Sequence, residues 1–116
     1  MDIAGESSGQ MSLALGTMNS GAFWIRGGSF NVNTWYHIAM VRNGTTITIY
    51  KDGVSAFSGN LSSSSTLVGN MGFITAGAYT DNTLAFNGYM DDLRITRGYA
   101  RYTSNFTPPT SALKDR

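Results

Sequence analysis

Apolar and polar residues alternate along short stretches of this chain, and turn-forming residues interrupt them at close intervals. Met11, Leu13 and Leu15 alternate with Ser12 and Ala14, the period-two pattern of a half-buried strand. Gly16–Gly21 is a cluster of turn formers. Ala22–Arg26 is a short aromatic strand that Gly27 and Gly28 stop. Tyr36–Arg42, Thr45–Lys51 and Val54–Ser58 then read as three successive strands of a meander. Asn43-Gly44 and Asp52-Gly53 separate them, pairs suited to two-residue type I′ turns, which need positive φ at both positions. Asn60–Thr66 is a serine-rich loop, Met71–Ala76 another strand, Gly77–Thr83 a polar loop, and Phe86–Thr96 the last strand. Pro108-Pro109 cannot join a ladder, because proline has no amide to donate. Residues 1–10 and 111–116 are polar and expected to be flexible. No 3.6-residue period persists, so the expected fold is all-β and antiparallel in one domain over residues 1–116.

The two turns set an expected register. Across Asn43-Gly44, Arg42 faces Thr45, Met40 faces Ile47 and Ile38 faces Ile49. Across Asp52-Gly53, Lys51 faces Val54, Ile49 faces Ala56 and Thr48 faces Phe57. Ile38, Met40, Ile47, Ile49 and Ala56 then share one apolar face, a sandwich core. His37, Ala39, Val41, Thr46, Thr48, Tyr50, Ser55 and Phe57 share the other, which is either a ligand face or a surface packed beneath something else.

Composition narrows the function. Charged residues make up only 13% of the chain, and Lys+Arg number 8 against 7 Asp+Glu, so the charge reads as scattered. Neither the basic stripe that nucleic acid demands nor a polybasic membrane signature is visible, and no partner of either kind is expected. With no cysteine there is neither a disulfide framework nor a thiolate metal site. Met1–Leu15 carries Asp2 and Glu6 without a basic segment ahead of an apolar core, so it does not read as a signal peptide.

Three segments together resemble a known family. Thr34–Gly44 contains Trp35, His37 and Ala39; Ile47–Gly53 ends in Tyr50, Asp52 and Gly53; Phe86–Ile95 contains Gly88, Asp91, Asp92 and Arg94. In this order they resemble the C-terminal half of laminin-G-like, concanavalin A-like jelly rolls. The closing run Arg97–Pro109 is similar to the version found in bacteriophage and bacterial surface proteins. The resemblance spans roughly residues 30–110, and the strands that precede Trp35 in the family are mostly missing. It implies an antiparallel β-sandwich of jelly-roll type, shortened on its N-terminal side. Such a chain is a minimal version, a fragment, or one protomer of a homo-oligomer whose neighbours cover its edges. The implied role is a non-catalytic binding or structural module on a virion or cell surface, whose partner is a glycan or another surface protein. The alternative is a purely architectural, oligomerising virion subunit. A glycosidase fragment is the weakest reading, because Asp91 and Asp92 on one strand would point to opposite faces and could not flank a single glycosidic bond.

The candidate ligand-binding residues are Tyr79, Asp81 and Asn82, which gather an aromatic face, a carboxylate and an amide in one loop, and Trp24 with Arg26. No cofactor is expected. Calcium is the one metal considered, with Asp81 and Asp91 as its candidate ligands. His37, the single histidine, reads as a structural side chain with its hydrogen bonds made. Trp35, Leu93, Ile95 and Tyr102 are assigned to the core.

Overall fold

A computed structural model of the chain describes residues 29–60 and 86–114 in full, together with the backbone of three strands at 2–5, 11–15 and 23–27. The elements are β1 (Asp2–Gly5), β2 (Met11–Leu15), β3 (Phe23–Gly27), β4 (Ile38–Asn43), β5 (Thr46–Lys51) and β6 (Val54–Asn60). They form two three-stranded sheets in the orders β1-β2-β3 and β4-β5-β6, with every pairing antiparallel. β3 comes against β6 at the junction of the two sheets. There is no helix among the described residues, hence none long and apolar enough to cross a membrane.

In the first sheet Ile3 pairs with Leu13, and Leu13 with Ile25. Residues 2–5 therefore form an edge strand of this sheet. The second sheet is the predicted meander with two corrections to its register. The first turn is closed by Gly44-Thr45: Asn43 pairs with Thr46 and Arg42 with Ile47. Positive φ occurs at Gly44 (61°) and at neither Asn43 nor Thr45. That is the requirement of a type II′ hairpin, which takes glycine first, and not of type I′. Each cross-strand partner moves by two residues, an even number, so every side chain of β4 and β5 keeps its expected face.

The second turn is as expected, with positive φ at both Asp52 (51°) and Gly53 (78°) and Lys51 opposite Val54. A β-bulge then intervenes. Tyr50 pairs with Ser55 and Ile49 with Phe57, so Ala56 is the extra residue. The expected pairs Ile49–Ala56 and Thr48–Phe57 are thereby overturned, and Phe57 crosses to the face of Ile49.

β5 is the central strand and is covered on both faces. Ile47 and Ile49 are buried on one side, Tyr50 on the other, joined there by Val41 of β4. The hydroxyls on the Tyr50 side are bonded across the strands. Thr46 Oγ1 donates to Asn60 Oδ1 at 2.9 Å, and Thr48 Oγ1 meets Ser58 Oγ at 3.1 Å. Such cross-strand pairs are the units of sheet stability, roughly 0.2–1 kcal/mol each.

The C-terminal segment covers the Tyr50 face. Phe106 sets its ring edge-on to Tyr50 at 5.4 Å and to His37 at 5.5 Å, and Tyr102 stacks on Phe106 at 3.6 Å. Backbone bonds fix this segment to the β5–β6 turn. The Phe106 amide donates to the Gly53 carbonyl at 2.9 Å, and the Ser55 amide donates to Asn105 Oδ1 at 3.0 Å. Asp52 ties the same turn to the start of β4: its Oδ1 accepts from the His37 amide at 2.9 Å, and its own amide donates to the His37 carbonyl at 2.8 Å. On the outer side Lys51 Nζ lies over the Phe30 and Tyr36 rings, 4.8 and 4.4 Å from their centroids, and donates to the Ser29 carbonyl. This staples the loop ahead of β4 onto β5.

Residues 86–97 form no strand. Asp92 has a φ of 51°, a left-handed conformation that an extended ladder does not contain. Leu93 and Ile95, expected in the core, are 70% and 63% exposed, and Trp35 is 68% exposed. Tyr102 is half-buried, as its stacking on Phe106 requires. The expected strand Met71–Ala76 lies outside the described residues.

Candidate functional site

The sequence-derived ligand candidates fall largely outside the described residues. Trp24 and Arg26 sit in β3, opposite Ala14 and Ser12, and their side chains lie outside the described residues. Tyr79, Asp81 and Asn82 lie outside the described residues altogether. Asp91 is exposed, and its Oδ1 accepts from the Asp92 amide at 2.8 Å, a local contact within the segment. No group of three or more His, Cys, Asp or Glu side chains suited to a metal ion occurs among the described residues.

His37 departs from expectation. Its Nδ1 is buried and has no hydrogen-bond partner among the described residues. Its ring is held by packing against Phe106. Phe106 and Tyr102 pack over the part of the mixed face that carries His37 and Tyr50.

Among the described residues a concave surface lies around the turn that follows residue 95. Gly98 has a φ of 99°, which reverses the chain sharply after Arg97. Arg101 reaches back across this turn: its Nε donates to Thr96 Oγ1 at 3.3 Å, and a terminal nitrogen donates to the Tyr99 hydroxyl at 2.8 Å. Arg94 binds the tail, donating to the Lys114 carbonyl at 2.7 Å. The result is a mostly polar cleft of about 580 Å³ whose wall carries Arg94, Arg97, Arg101, Lys114 and Tyr99, with Asp92 as its single carboxylate among the described residues. Four of the chain's eight cationic side chains thus converge on one concavity. Sequence reading had them scattered, because the turn at Gly98 and the return of the tail bring them together.

A laminin-G-type model of the concanavalin A-like lectin/glucanases superfamily matches residues 2–101. The chain belongs to that superfamily. As a member it is a β-sandwich protein, and its helix-free, antiparallel strands agree. The match reaches further toward the N-terminus than the three motifs do and takes in β1–β3. It ends at residue 101, so Tyr102 and Phe106, which cover the Tyr50 face, lie beyond it. No curated protein and no solved structure matches the chain. Membership assigns a general carbohydrate-binding or structural module, within a superfamily that includes both enzymes and non-enzymes.

Proposed function

We infer that this domain is a non-catalytic binding module of a phage virion or bacterial surface protein and that it recognises glycans. The observation that carries the non-catalytic part is the charge of the cleft. Glycoside hydrolysis needs two carboxyl groups facing one bond across roughly 5–9.5 Å, whereas among the described residues this wall sets one carboxylate, Asp92, among four cations. Asp52 is spent on the His37 amide and Asp91 on the Asp92 amide. The superfamily supports the carbohydrate part, and the setting rests on the sequence resemblance of Arg97–Pro109 alone. The test is a glycan array probed with the purified chain, with and without calcium, followed by analysis of the bound glycans for cleavage. Retention of intact glycan is the expected result. Release of shortened products would refute the non-catalytic reading.

One observation favours the architectural alternative. Phe86, Tyr89, Met90, Leu93 and Ile95 are all more than half exposed in the single chain, a run of apolar side chains of the kind that assembly covers. Light scattering across a dilution series separates the two. A mass that stays at several protomers favours assembly, and a monomer that binds glycan favours recognition.

A further inference from the structure

We propose that the cleft around Gly98 is an anion-binding site that takes acidic oligosaccharides, those bearing carboxylate or sulfate groups. The proposal rests on the glycan-binding reading above and names the ligand class and the residues.

Three features of the cleft carry it. The first is sign. The whole chain has a net charge of only +1, yet among the described residues the wall sets four cations against one carboxylate. Charges of one sign in a concavity focus the potential there, because the low-dielectric walls confine the field. The second is preorganisation. Arg101 is held at two points, on Thr96 and Tyr99, and Arg94 at one, on the Lys114 carbonyl. Each guanidinium has five N–H donors, so these contacts orient it while leaving donors for a ligand. A planar fork of this kind matches the geometry of a carboxylate or sulfate. Arg97 and Lys114 add exposed charge at the same cleft. The third is the aromatic. Tyr99 lies on the wall with its hydroxyl fixed by Arg101 and its ring 5.5 Å from the Arg101 guanidinium carbon. An exposed ring beside fixed donors suits a sugar, which offers an apolar face together with polar edges. The volume of about 580 Å³ falls within the usual range of small-ligand sites, roughly 300–1,000 Å³.

A nucleic-acid backbone is a poorer fit. It is read by a positive stripe along an extended surface, whereas here the cations cluster in one pocket and the chain is nearly neutral.

The experiment uses the full chain and four probes in titration calorimetry: tetragalacturonate, a chondroitin sulfate tetrasaccharide, neutral cellotetraose and a ten-residue oligothymidylate. The variant is R97Q/K114Q, chosen because both side chains are exposed. An unchanged urea midpoint establishes that the variant folds. The expected result is binding of at least one acidic tetrasaccharide at least tenfold tighter than cellotetraose. That affinity should weaken with salt and fall at least tenfold in the variant. The carboxylate and sulfate probes distinguish which anion the cleft prefers. Binding of cellotetraose as tight as that of the acidic probes would overturn the proposal and leave the glycan-binding reading intact. So would acidic binding that the variant leaves unchanged. No binding of any saccharide would overturn both. Preference for the oligothymidylate would overturn the proposal in favour of a nucleic-acid site.

Discussion

Replacing Gly53 with alanine should cost far more than the same change at Gly44, and the difference measures how firmly the C-terminal segment is docked. Both glycines have positive φ, 61° at Gly44 and 78° at Gly53, so alanine at either pays for a left-handed backbone, about 1 kcal/mol. At Gly44 nothing lies within 4 Å of the added Cβ, and the cost ends there. At Gly53 the Cβ would lie 1.8 Å from the Phe106 carbonyl oxygen and 3.0 Å from Pro108 Cδ. The obstacle is backbone, so the segment has to lift by more than an ångström. Lifting breaks the bond from the Phe106 amide to the Gly53 carbonyl, worth about 1 kcal/mol. It also loosens the aromatic contacts of Phe106 with Tyr50 and His37, about 0.5–1.5 kcal/mol each. The expected totals are about 1 kcal/mol for Gly44→Ala and roughly 3–5 kcal/mol for Gly53→Ala. With a urea slope of about 1–3 kcal/mol/M, the two midpoints should differ by at least about 0.7 M. Equal midpoints for the two variants would refute the docking of Phe106 on the turn.

Asp52→Ala should destabilise the domain by about 2 kcal/mol, because it removes the acceptor of the His37 amide and places a residue with a Cβ but no local partner at positive φ. Asp52→Asn keeps an acceptor and tolerates that backbone, so thermal melts should place it within about 1 kcal/mol of the native chain. Lys51→Ala should cost about 1 kcal/mol by removing the cation from the Phe30 and Tyr36 rings, and amide hydrogen exchange should quicken in the loop ahead of β4. Ile47 is 1% exposed, so chemical denaturation should give about 1 kcal/mol for Ile47→Val and about 3 kcal/mol for Ile47→Ala.

The sequence made the second sheet legible because its signals are local. Alternation in Thr46–Lys51 and the pair Asp52-Gly53 specify strand and turn without reference to anything distant. The errors in register are small-scale competitions that pattern alone does not resolve. Asn43-Gly44 can seat its glycine second in a type I′ turn or first in a type II′ turn, and the protein uses the latter. The bulge at Ala56 has no signature in Val54–Asn60 beyond the absence of a penalty for it. β1 was missed because Asp2–Gly5 contains a single large apolar residue, Ile3, too few for alternation to register. The expected strand at Phe86–Thr96 failed for another reason. Tyr89, Leu93 and Ile95 do alternate, but Asp92 takes a left-handed φ that breaks the extended run.

The candidate cleft was illegible because it depends on tertiary convergence. Arg94, Arg97, Arg101 and Lys114 are spread over twenty-one residues, and only the reversal at Gly98 and the bond from Arg94 to the Lys114 carbonyl bring them to one wall. The same stretch of chain supplies both halves of the arrangement. Arg97–Arg101 build the cleft, and the next residue, Tyr102, stacks on Phe106 and reaches the Tyr50 face of the sheet. The cleft is thus an outgrowth of the segment that caps the core, anchored through Tyr102 to the buried Tyr50. That placement reconciles two demands on a binding loop. Its donors must stay exposed to meet a ligand, yet each mobile side chain frozen on binding costs about 0.5–1.5 kcal/mol. Anchoring one end on a rigid sheet and pinning Arg101 across its own turn meets part of that cost in the folding of the free protein.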